Sequence, residues 1–146
     1  ADVERLRERA RGLANVRIDG FQPPARIGLY LAAADLGAVP NRSTPAISAR
    51  YTSPLKVFES FAAGLPLVAS DLPSLRELLR HGHDAVLVAP DDPSALARGI
   101  ARLYGDAALR SAIRARALAR APECTWDART SRLLAWADAQ RSRARV

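Results

Sequence analysis

The chain has 146 residues, 49% of them hydrophobic and 25% charged, with a formal net charge of +7. That length suits one domain able to bury a core without disulfide staples, and the composition is globular rather than disordered. Aromatic residues make up only 5%, too few for a stacking platform on single-stranded nucleic acid. No apolar run reaches the length of a membrane span, and the charged residues 1–11 lack the apolar centre of a signal peptide. The single cysteine, Cys124, has no internal partner and reads as a small apolar filler, so a reducing compartment is the default. The first residue is Ala rather than Met, which suggests a processed or truncated chain.

The charge is uneven. Residues 107–146 carry nine arginines against Glu123, Asp127 and Asp138. Such an excess fits a membrane surface or a polyanion, or simply a solvated helix face. The solvated face is preferred, because Lys56 is the only lysine beside 21 arginines, a bias that genome base composition accounts for.

In chain order, Val3, Leu6, Ala10 and Leu13 recur at helical spacing and predict a helix over 2–13. Val16-Arg17-Ile18 is a short β-rich run ending at Gly20, with a strand expected over 16–19. Residues 24–34 read as a helix with Ile27, Tyr30 and Leu31 on one face. Leu36–Val39 is an apolar strand closed by Pro40, and residues 41–53 form a hydroxyl-rich loop. A helix follows from Pro54 to about Ala63 and stops at Gly64. Strands are expected over 67–70 and 85–88, with a helix from Asp71 to Arg80 and a turn at His81–Asp84 between them. Asp92-Pro93 is a helix start, the acid as cap and Pro at the first helical position. Leu96, Ile100 and Leu103 mark that helix's buried face, and Leu109, Ile113 and Ala117 mark the next. A last helix starts at Thr125, with a frayed tail from Arg141. Alternating strands and helices predict βαβ units and a parallel sheet.

The chemistry concentrates in Ser53-Pro54-Leu55-Lys56-Val57-Phe58-Glu59. Ser53 is a good N-cap and Pro54 suits the first helical position. The helix would then aim free N–H groups at the carboxyl end of a parallel sheet, where open α/β folds bind ligands. Lys56 adds a positive charge, so a diphosphate fits. Glu59, three residues on, suits two vicinal hydroxyls of a ribose. On spacing alone, a plain Lys56–Glu59 surface pair is an equal reading.

Three blocks extend the pattern: Ser53-Pro-Leu-Lys-Val-Phe-Glu-Ser-Phe-Ala-Ala-Gly-Leu-Pro-Leu-Val-Ala-Ser70, Leu75-Arg-Glu-Leu-Leu79, and His83-Asp-Ala-Val-Leu-Val-Ala-Pro-Asp-Asp-Pro-Ser-Ala-Leu96. In this order and register, from Asn15 to about Ala137, the chain resembles the C-terminal, donor-binding domain of retaining GT-B glycosyltransferases of the family 4 type. The resemblance implies a Rossmann-like three-layer α/β sandwich with a parallel sheet, one half of a GT-B fold. It also implies that the family's first strand and the N-terminal acceptor domain are absent, so that residues 1–146 alone are inactive. The family carries two glutamates separated by seven residues. Glu59 matches the second, which holds the ribose. Tyr51 stands where the first, a contact to the donor sugar, would be. A recognised Ser-Pro-Leu-Lys sub-pattern also lacks that first glutamate.

By the same resemblance, the stretch Thr52 to Leu55 offers amides to the diphosphate or sugar, and Phe21 and Gln22 lie where the family packs its nucleobase. Arg42 follows a strand end and is a candidate phosphate contact, with a plain exposed loop arginine as the preferred alternative. Glu77 also matches a family position and reads as structural. No catalytic residue is assigned. No metal or other cofactor is expected, since His81 and His83 lack ligand partners at metal spacing and Asp91-Asp92 reads as a cap. The expected function is to bind a nucleoside diphosphate sugar for transfer to an acceptor, whether glycan, lipid-linked sugar or small molecule. The alternative is a non-catalytic nucleotide-binding or interaction module of the same fold. No nucleic-acid partner is expected. The expected location is cytoplasmic, with peripheral contact at the membrane face as a further reading of the charge.

Overall fold

The computed structural model describes residues 2–51 and 55–143. Helices α1 (Asp2–Arg9) and α2 (Pro24–Ala33) precede strand β1 (Gly37–Val39). Helices α3 (Ala46–Arg50) and α4 (Leu55–Ala63) lead into β2 (Leu67–Ser70), and α5 (Pro73–Arg76) into β3 (Val86–Val88). Helices α6 (Pro93–Gly105) and α7 (Ala107–Arg120), a 3-10 turn at Ala121–Cys124 and α8 (Trp126–Arg143) complete the chain. The strands form a parallel sheet in the order β1-β2-β3, with Gly37 opposite Leu67 and Val68 opposite Val86.

Strand β2 is buried along its whole length, as expected of a central parallel strand covered on both faces. Alternation along it feeds two cores. Leu67 and Ala69 join Val39 and Leu87, packed with Val57 and Phe61 of α4, Leu75 of α5 and Ala117 of α7. Val68 and Val86 face the other way, with Leu103 of α6 and Ile113 of α7. The result is the expected three-layer α/β sandwich.

Two glycines set how closely the layers meet. Gly64 has φ +62 and ends α4 in a left-handed turn, with Leu65 N–H donating to Ser60 O at 2.8 Å and Gly64 N–H to Phe61 O at 3.0 Å. Gly99 lets α6 lie against the sheet: a Cβ there would sit 2.6 Å from Val88 Cγ1. The predicted start of α6 is observed, with Asp92 Oδ1 accepting from Ala95 N–H at 2.9 Å. Asp106 caps α7 in the same way through Leu109 N–H.

Several expectations are corrected. Residues 16–19 form no strand: among the described residues no strand lies beside them, the Ile18 carbonyl accepts from Arg7 Nε at 3.4 Å, and Val16 is exposed. A β-rich run without a hydrogen-bonding neighbour stays irregular. Helix α1 stops at Arg9, short of Leu13, and Gly12 follows with φ +84. The 41–53 loop contains a cis Thr44–Pro45 bond and then α3. The helix expected to Arg80 is the single turn α5, after which Leu78 and Leu79 continue in turns. Helix α8 runs through Arg143, past the expected fraying point.

The segment after α5 is held by a buried carboxylate. Asp84 accepts from Arg80 N–H and Nε, each at 3.0 Å, and lies 3.1 Å from Arg120 Nη1 of α7. His83 Nδ1 is 3.2 Å away. Burial alone raises a carboxyl's pKa; here the Arg80 side chain and backbone, His83 and Arg120 outweigh it and hold Asp84 far below its ordinary value.

Candidate functional site

The carboxyl ends of the strands point toward the loops that carry the sequence candidates. The chain leaves β1 at Pro40, passes through α3 and enters α4, so the first turns of α4 stand at that end of the sheet. Val57 and Phe61 are anchored in the core, which turns the intervening polar positions outward. Lys56 and Glu59 are both exposed on this outer face. Among the described residues they form no ion pair, with each other or with another side chain. Their own α-helical turn is intact, with Ser60 Oγ donating to Lys56 O at 2.6 Å.

Glu59 lines a cavity of about 410 Å³ between α4 and α2, with Ala62 and Ala63 on its own helix and Pro24, Ile27 and Gly28 opposite. One carboxylate on an otherwise apolar wall has the composition of a small-molecule site. Leu55 and Tyr51 are exposed nearby in sequence, Tyr51 closing α3. Thr52, Ser53 and Pro54, with the expected cap and first helical position, lie outside the described residues.

Phe21 is 91% exposed, just before α2. Gln22 Nε2 donates to Gly20 O at 3.4 Å, while its Oε1 is buried without a hydrogen-bond partner among the described residues. Arg42 does not converge with Glu59. It lines a separate cavity of about 350 Å³ at the strand ends, with Pro40, Ser70, Val88 and Asp91. There Arg42 Nε lies 3.6 Å from Asp91 Oδ1. Asp91 Oδ2 accepts from Ser43 N–H at 3.0 Å and from Ser43 Oγ. Asp91 has φ +58, a conformation Asp tolerates better than most residues. Ser43 donates to its carboxylate and, with Arg42 beside it, keeps it ionised below its ordinary pKa.

Sequence reading took Asp91-Asp92 as a helix cap and missed the latch of Asp91 to Ser43. Only the 48-residue separation closed by folding creates that contact, and no local signal announces it. The histidines are structural: His81 Nδ1 accepts from Leu87 N–H at 3.1 Å, and His83 abuts Asp84. Glu77 is exposed at the end of α5. Among the described residues no group of three or more His, Cys, Asp or Glu is placed to hold a metal ion.

A parallel three-layer α/β domain with helix-borne polar groups at the carboxyl end of its sheet has the architecture of the open α/β folds that bind ligands at that end. Residues 1–106 match the family described as glycosyl transferases group 1, and the chain belongs to that family. Among curated relatives it is 37% identical over 109 residues to an exopolysaccharide phosphotransferase of Streptomyces coelicolor, covering 73% of this chain and 11% of that protein. It is 32% identical over 123 residues to a D-inositol 3-phosphate glycosyltransferase of Thermobispora bispora, covering 84% of this chain and 27% of the relative. The Anabaena protein HepE, solved in complex with UDP, superposes with a TM-score of 0.75 at 25% identity, over 94% of this chain and 36% of HepE. The chain thus spans about a third or less of the length of these proteins.

Proposed function

We propose that the chain binds the nucleoside diphosphate sugar donor of a retaining glycosyltransferase, with α4 as the donor-holding element. The observation that carries this reading is the pair of unpartnered, exposed side chains Lys56 and Glu59 on a core-anchored helix, with Glu59 at the rim of the α2–α4 cavity. The absence of a Lys56–Glu59 pair favours it over the plain surface-pair reading. Lys56 faces the diphosphate, whose charge it offsets. Glu59 accepts hydrogen bonds from vicinal ribose hydroxyls. Thr52, Ser53, Pro54 and Leu55 border the diphosphate, Tyr51 the donor sugar, and Phe21 and Gln22 the base. Arg42, in its own cavity with Asp91, reaches a phosphate only if it leaves that carboxylate.

The family membership supports a sugar-transfer role, and HepE has been solved with UDP, with UDP-glucose, and with UDP and glucose. No metal is needed in this reading: a cationic side chain and helix N–H groups offset leaving-group charge. The whole protein acts as a glycosyltransferase from a cytoplasmic donor pool, and the acceptor is a glycan, a lipid-linked sugar or a small molecule. Calorimetric titration with UDP and GDP tests the reading. Saturable binding lost in Glu59→Ala supports it; a folded chain that binds neither nucleotide, or binds equally after Glu59→Ala, rejects it in favour of a non-catalytic module.

A further inference from the structure

Helix α3, whose C-cap is Tyr51, has five residues and buries none of them. Burial in the core therefore does not fix its position, and a helix of that length has no stability of its own. It rests against α5 and is tied to two other parts of the fold. Ahead of it, Ser43 donates to Asp91 Oδ2 through its hydroxyl and, at 3.0 Å, through its backbone N–H. Along it, the Ser48 carbonyl accepts from Oγ of the buried Ser74, in α5, at 3.4 Å. The Asp91 end of the first tie is the fixed one. Asp91 stands just past β3 at φ +58, and its neighbour Asp92 caps the 13-residue α6 through Ala95 N–H. With Ser43 bonded to it and Arg42 beside it, the Asp91 carboxyl stays ionised below its ordinary pKa, so the bonds from Ser43 are charge-assisted.

We propose that Asp91 is a positioning residue for the donor nucleotide: its latch on Ser43 sets where α3 and Tyr51 stand, and through them where the chain enters α4. This role rests on the donor-binding reading of α4 and adds a distant residue to it. Asp91 lines the cavity of Arg42, whereas Glu59 lines the one between α2 and α4, so Asp91 acts through the loop rather than by touching the ribose. Only positions 52–54 lie between Tyr51 and α4. So short a connection limits where the residues assigned to the diphosphate can stand once α3 is fixed. Released from Asp91, the same loop would have to be ordered by the nucleotide itself, which weakens binding.

The 146-residue protein is compared with Asp91→Gly, Asp91→Asn and Ser43→Ala. Glycine adopts φ +58 without strain, so Asp91→Gly removes the carboxylate and keeps the turn. Hydrogen exchange follows peptides over 43–51 and over α6 and α7, and calorimetry follows UDP and GDP. Asp91→Gly should speed exchange over 43–51, leave α6 and α7 unchanged, and weaken nucleotide binding roughly tenfold. Asp91→Asn, whose amide oxygen still accepts from Ser43, should recover most of that affinity. Ser43→Ala should weaken binding on its own and add little to Asp91→Gly, as a shared contact requires. Affinity that survives Asp91→Gly but not Glu59→Ala would reject the positioning role and keep the donor reading. Unchanged exchange over 43–51 in Asp91→Gly would reject the latch itself. Lost affinity with equally faster exchange in α6 and α7 would reduce Asp91 to a structural residue. Binding of neither nucleotide by the wild type would reject the donor reading and this role with it.

Discussion

Glu59 and Lys56 occupy the same two turns of α4 yet should fail differently when removed. Glu59→Ala deletes hydrogen bonds to a carboxylate, each worth about 1.5–3 kcal/mol. The expected result is a tenfold or greater loss of nucleotide affinity and loss of the preference for ribose over 2′-deoxyribose, read by calorimetry. Lys56→Ala removes a point charge from an exposed site, so its smaller effect should shrink as salt rises. Asp84 belongs to folding rather than binding. Its carboxyl titrates below its unfolded value, so its stabilisation is present above about pH 4 and is lost as the pH falls toward the folded pKa. Urea midpoints measured from pH 6 downward should therefore decline in the wild type. Asp84→Asn should cost about 3 kcal/mol near neutrality and flatten that acid limb. An equally steep limb in the variant would place the acid sensitivity elsewhere.

Element boundaries show which local signals survive folding. Asp92-Pro93 capped α6 as read, because the cap bond spans three residues and needs no distant partner. Asp92→Ala should cost about 1 kcal/mol, measurable as a lower thermal midpoint. Gly99 was silent in the sequence, where a glycine inside a helix reads as a weakness. In the fold it is the contact point of α6 with β2 and β3: a Cβ there meets Val88 Cγ1 at 2.6 Å and Val68 Cγ1 at 2.9 Å. Both neighbours are β-branched and buried or nearly so, with little room to turn. Gly99→Ala should destabilise by about 1–3 kcal/mol from overpacking, despite alanine's better helix propensity. An unchanged or raised denaturation midpoint would contradict the close approach.

At the scale of the whole molecule, about two-thirds of HepE has no counterpart in this chain. A glycosyl-transfer site needs acceptor and donor held together. The 146-residue polypeptide is therefore expected to bind donor nucleotide without transferring sugar, assayed by product formation from labelled UDP-glucose with candidate acceptors. Multiple turnover by this chain alone would show that it carries a complete site.

By itself the sequence determined the fold class, three strands, the α6 cap and the placement of Lys56 and Glu59 on one helix. Each rests on local periodicity or on spacing within one helix, which tertiary contacts only reinforce. The run at 16–19 had the composition of a strand, but a strand exists only through its neighbour's hydrogen bonds, and composition cannot supply one. The tertiary structure alone decided that Glu59 faces α2 while Arg42 turns to Asp91. It alone joined Ser43 to Asp91 and Arg120 to Asp84. These outcomes depend on where distant segments meet in space, and residue type at one position carries no record of that.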